Sequence, residues 1–80
     1  MPELLSAAVG REIRRLMTER DVSAYALSKS TGIPQSTLSR KFNGAASFDF
    51  DDVQKIAPVL STDATSVVRA AERSGTNPTG

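Results

Sequence analysis

The sequence predicts an all-α domain of five helices, and three observations carry that prediction. Apolar residues recur at helical rather than strand spacing along most of the chain, beginning with Leu5, Val9, Ile13, Leu16 and Met17. From the second onward, these stretches start at a capping residue or at Pro and end at Gly, Asn-Gly or Pro. At the centre, AYALSKSTGIPQSTLSRKFNG from Ala24 to Gly44 reads as two short helices joined at Gly32, with Ile33, Leu38 and Phe42 apolar at i, i+5 and i+9. That is helix-turn-helix spacing.

The first helix is expected over about residues 4–20, with Arg11, Glu12, Arg14, Arg15 and Glu19 opposite the apolar stripe as a mostly solvated face. Val22 packs at the corner, and Ser23 caps a second helix, Ala24 to Ser30. Gly32 ends that helix, and Pro34 suits the first position of a third, whose amide would be unpaired anyway. This helix runs to Phe42 and stops at Asn43-Gly44. Asp49 caps the fourth helix, about Phe50 to Val59, with Asp51 and Asp52 at the positive end of its dipole and Phe48 placed to staple onto Val53. Phe50, Val53, Ile56, Ala57 and Leu60 form its expected buried face, and Pro58 should end or kink it near Ala57. Ser61-Thr62-Asp63 offers another cap, for a fifth helix from Ala64 to Arg73. One domain over residues 1–75 and a frayed tail over 76–80 are expected.

Eighty residues bury only about 60 to 65% of their unfolded surface, so a partner copy would help stability. Val67, Val68 and Ala71 on the fifth helix are the expected dimer interface, unless a small core already covers them. The chain has no Cys and no His, which removes disulfides and the usual zinc and iron ligands. It also removes the common general bases at neutral pH, and there is no glycine-rich phosphate loop or nucleophile motif, so an enzyme is not expected. No metal, cofactor or small-molecule ligand is expected. The longest apolar runs are a few residues, and MPELLSAAVGREIRR lacks the pattern of a signal peptide.

The net charge of +1 hides an asymmetry: residues 1–48 hold 7 basic and 4 acidic groups, residues 49–80 hold 3 and 5. From Val22 to Phe48 there is no acid at all. A surface that faces phosphates should avoid carboxylates, and the helix-turn-helix is the part that does. Its second helix buries Leu38 and turns Gln35, Ser36, Ser39 and Arg40 outward, groups that hydrogen-bond base edges in a major groove. The plain alternative is a solvated polar face.

Five helices in this order, with LSKSTGIPQSTLSRKFNG in the second and third and VQKIAPVLSTD in the fourth and its link to the fifth, resemble the Cro and lambda-repressor (XRE) family of helix-turn-helix regulators. The resemblance covers about Val9 to Val68. It implies a lambda-repressor-like fold and a cytoplasmic, sequence-specific regulator of double-stranded DNA, of phage or bacterial origin. Such a regulator is repressor-like and binds as a homodimer to a palindromic operator. The family's base-reading positions fall on Gln35, Ser36, Ser39 and Arg40. Phosphate contacts are expected from Tyr25, Lys29, Thr37, Lys41 and Asn43, and from the backbone amides that open the second helix.

The chain departs from the family pattern in several places. The Gln that often heads the second helix and grips a phosphate is Ala24 here, and the usual capping Ser or Thr of the third helix is Pro34. An Arg–Glu pair that some members place between the first and third helices becomes Met17 and Phe42, which should touch. A second class of function stays open: a protein-interaction module, such as an adaptor, antirepressor or antitoxin-like partner, met through helices 4 and 5.

Overall fold

In a computed structural model, the described residues are 2–75, with side chains described for 7–73. Five α-helices follow in order: α1 (Pro2–Arg20), α2 (Ala24–Thr31), α3 (Gln35–Phe42), α4 (Phe50–Ile56) and α5 (Ala64–Gly75), with a 3-10 turn at Ala57–Leu60 between the last two. No strand occurs among the described residues. The expected tail, 76–80, and the Leu5 side chain lie outside the described residues.

The core forms where every element turns its apolar side inward. Ile13 of α1, Leu27 of α2, Leu38 of α3, Ile56 of α4, Leu60 of the 3-10 turn and Val67 of α5 are all fully buried. Each contributes about 1.5 to 3 kcal/mol by leaving water, set against the ordering of the chain. The most extensive pairing is α1 against α5, while α3 and the 3-10 turn also reach α1. Ala8, Val9, Ile13 and Leu16 are the buried side of α1. On its outer side Arg15 bridges Glu12 and Glu19, both at 2.6 Å.

Helix ends follow local chemistry. α1 stops with Asp21 left-handed at φ 59°, where Asp21 N–H donates to the Thr18 carbonyl at 3.3 Å and Val22 N–H to that of Met17 at 2.9 Å. Short aspartate tolerates a conformation usually left to glycine. Ser23 caps α2 as expected, its Oγ accepting from Ala26 N–H at 3.0 Å. Pro34 precedes α3 rather than opening it: its ψ of 146° is extended, and the helix starts at Gln35. Asp49 Oδ1 accepts from Asp52 N–H at 2.9 Å while Asp52 Oδ2 accepts from Asp49 N–H at 3.0 Å, a reciprocal cap on α4. α4 ends at Ile56, earlier than Val59, because Pro58 cannot donate within a regular turn; the chain tightens into the 3-10 turn instead.

Two sequence expectations about apolar faces are corrected. Val67 and Ala71 are not an exposed interface: they are 1% and 0% accessible, buried where α5 closes the core, and Val68 is half-buried. Phe50 does not join the buried face of α4, being 55% exposed, because Phe48 fills the core beneath that end. Phe48 also rests on Gly10, where an added Cβ would lie 3.2 Å from its ring. Gly10 is therefore a packing site inside a helix.

Candidate nucleic-acid interface

The position of α3 is set by how the turn before it is tied. Gly32 is left-handed at φ 81°, and its N–H donates to the Ser28 carbonyl at 2.9 Å. Ser28 Oγ donates to the Ile33 carbonyl at 2.7 Å. Thr31 Oγ1 donates to the Leu27 carbonyl at 2.8 Å and accepts from Ile33 N–H at 3.2 Å. Buried Leu27 and Ile33 then anchor both sides of the turn. Sequence reasoning missed the tying roles of Ser28 and Thr31, since a hydroxyl in a helix reads as a neutral filler until the fold places a free carbonyl or amide beside it.

Leu38 fixes the inner side of α3, and the four expected reading residues come out together. Gln35, Ser36, Ser39 and Arg40 are all exposed on the outer side, and Thr37 is half-buried. The side chains of Gln35, Ser36 and Arg40 make no hydrogen bond or ion pair among the described residues. No side chain caps the helix at Pro34, so the first amides of α3 are offered outward at the positive end of its dipole. At the other end, Asn43 is exposed with Nδ2 3.5 Å from Ser39 Oγ, and Gly44 turns the chain at φ 86°.

On α2, Tyr25 is 60% exposed and Lys29 Nζ stands 5.6 Å from the centre of its ring. Ala24 is exposed at the head of the helix and has no group to reach the α3 surface.

Lys41 departs from its expected place at a phosphate. Its ammonium donates to Asp52 Oδ2 at 2.6 Å and to the Ser47 carbonyl at 2.9 Å, with both side chains of the ion pair 13% exposed. Lys41 lies on the side of α3 that faces α4, and a cation so shielded is stable only with a partner. The pair leaves its mark on Asp52. Burial pushes that carboxyl up, but hydrogen bonds from Lys41 and from the Asp49 amide, with the Lys41 charge, outweigh it and hold Asp52 below the usual carboxylate range.

Phe42 has an aromatic and a cationic neighbour that the sequence reading did not name. It packs edge-on against Phe48 with ring centres 5.3 Å apart, and the Arg14 guanidinium lies 4.9 Å from its ring centre. Met17 lines the same shallow groove as Phe42 at the core margin. The three arginines expected as one solvated face thus differ: Arg15 is held by two carboxylates, which raise its pKa through the Glu12 hydrogen bond first, whereas Arg14 lies on an aromatic ring.

The family profile of the Cro/C1-type HTH DNA-binding domain matches residues 12–65, from within α1 to the first turn of α5. No curated protein and no solved structure gives a significant match. No described helix is long and apolar enough to cross a membrane.

Proposed function

Because the chain belongs to the family of Cro/C1-type HTH DNA-binding domains, we propose that it is a sequence-specific, repressor-like transcriptional regulator that lays α3 in the major groove of double-stranded DNA. The observation that carries this reading is the outer face of α3, where Gln35, Ser36, Ser39 and Arg40 are exposed together and no carboxylate occurs between Val22 and Phe48. Gln35 suits the paired donor and acceptor of adenine, Arg40 suits guanine or a phosphate, and Ser36 and Ser39 accept or donate as the edge requires. Tyr25, Lys29, Thr37 and Asn43, with the uncapped amides of α3, take backbone phosphates. Lys41 is left out of that set because Asp52 holds it.

Two protomers on a palindromic site would set their α3 helices about one duplex turn apart. The contact between them is not built from Val67 and Ala71, which the core has covered. In-vitro selection from a random duplex library tests the proposal, run beside a Gln35→Ala, Arg40→Ala variant. A motif with two-fold symmetry that the variant fails to enrich is the expected result; no enrichment by either protein overturns it. The exposed ring of Phe50, beside Pro58 and Ala64, favours a second reading in which a protein partner meets α4 and α5, and a failed selection would shift the weight there.

A further inference from the structure

Between α1 and the segment that leaves α3 lies an open cleft of about 470 Å³, floored by Gly10 and Phe42 and flanked by Arg11 and Arg14 on one wall and Asn43 and Gly44 on the other. We infer that this cleft is a second phosphate seat, which grips the DNA backbone beyond the end of the recognition helix. The inference rests on the DNA-binding reading above and extends it to residues that the helix-turn-helix itself does not contain.

Charge is the first support. Arg11 and Arg14 form no ion pair among the described residues, because the nearby carboxylates of Glu12 and Glu19 are both engaged by Arg15. Lys41 also lines the cleft but is neutralised by Asp52, and no acidic residue lines it among the described residues. The walls therefore carry two uncompensated guanidinium groups.

Preorganisation is the second. Arg14 is laid over the Phe42 ring at 4.9 Å, and that ring is itself held by Phe48, which can approach because Gly10 has no side chain. A stacked guanidinium keeps its N–H edge free for the paired hydrogen bonds that phosphate oxygens accept. Continuity is the third. Asn43 borders the cleft and its amide reaches Ser39 on the reading face at 3.5 Å, so a strand followed by α3 passes directly to the cleft mouth. A second groove beside Phe42, which Arg14 also borders, includes Asp21, whose carboxylate opposes an anion.

The test measures duplex affinity against salt for the wild type, Arg11→Ala, Arg14→Ala, Arg14→Lys and, as a cation outside the cleft, Lys55→Ala. Each arginine-to-alanine change should make the log–log salt slope about 1 unit shallower and weaken selected and unrelated duplexes by the same factor. Arg14→Lys should keep the slope, and Lys55→Ala should leave it unchanged. Arg11 has no intramolecular hydrogen bond or ion pair among the described residues, so its variant remains informative if the loss of Arg14 disturbs Phe42. A steep wild-type slope that the arginine variants leave unchanged, or that Lys55→Ala reduces equally, overturns the cleft alone. A wild type with no salt-dependent affinity overturns the DNA-binding reading and the cleft together.

Discussion

The outer face of α3 and the entry to α4 are both crowded with polar and charged side chains, but only one of them is unoccupied. At α4, the carboxylates of Asp49 and Asp52 accept backbone amides and Asp52 also binds Lys41; Asp63 does similar work at the start of α5, accepting from Ser66 N–H at 2.8 Å. On α3, Gln35, Ser36 and Arg40 have no partner among the described residues. Charge density alone does not distinguish a site from a scaffold. The pair Arg40 and Lys41 makes the point within two residues, the first exposed and free, the second 13% exposed and bound.

The comparison breaks most severely if the inner face of α3 is removed. Leu38 is 1% exposed, and Leu38→Ala should destabilise the domain by about 2 to 5 kcal/mol in urea unfolding, taking DNA affinity down through the unfolded fraction. Gln35→Ala, three positions earlier and exposed, should leave the unfolding midpoint nearly unchanged while altering which duplexes are bound. If both variants lose stability equally, the outer face is structural and the division of α3 into two faces fails.

Much of this arrangement was legible in the sequence, and what was not has a physical reason. Capping and turn residues act locally, so Ser23, Gly32, Gly44 and Asp49 all behave as their chemistry demands. The exposed face of α3 was legible because buried Leu38 fixes the phase of the helix and the outward residues follow by rotation. Long-range pairing was not. Lys41 and Asp52 are 11 positions apart and their meeting depends on the loop that Gly44 starts. Phe48 and Phe50 look interchangeable in FDF, yet only Phe48 faces Gly10 and Phe42. Periodicity likewise marked Val67 and Ala71 as apolar without telling whether the core or a partner would cover them.

Acid should sharpen the contrast between the two regions. The folded-state pKa of Asp52 is depressed, so the stability it contributes is fully present above the ordinary aspartate range and is lost as pH falls through that range toward the folded value. Asp52→Asn keeps the shape but removes the charge that Lys41 and the Asp49 amide use, and should cost about 1 to 3 kcal/mol near neutral pH. The difference between the two proteins should shrink as acid protonates Asp52 in the wild type, while Asp63, whose carboxyl is also held low by hydrogen bonds from Ser66, is common to both and cancels. A difference that persists unchanged in acid would mean the ion pair contributes nothing through its charge.

Base selection should respond to Arg40 and ignore Lys41. Arg40→Ala should cost about 1 to 3 kcal/mol in affinity for the selected duplex with little change in unfolding, and should relax the preference at one position. Lys41→Met, which keeps the stem, should lower stability by releasing Asp52 while leaving the preferred sequence the same. The opposite pattern would place Lys41, rather than Arg40, on the DNA.

The smallest effect isolates the turn from the faces it joins. Gly32 is left-handed at φ 81°, and an added Cβ would have no heavy atom within 4 Å, so Gly32→Ala meets no steric contact and pays only the backbone cost of that conformation. That cost is about 1 to 2 kcal/mol for an alanine, and Gly32→Asn should recover part of it because asparagine tolerates the left-handed region. Thermal unfolding measures both. The selected DNA motif should be unchanged in either variant, since Ser28 and Thr31 still tie Ile33 from both sides. A changed motif with little loss of stability would show that the turn yields rather than strains, so that α3 is aimed by Gly32 itself and not by the hydroxyls that surround it.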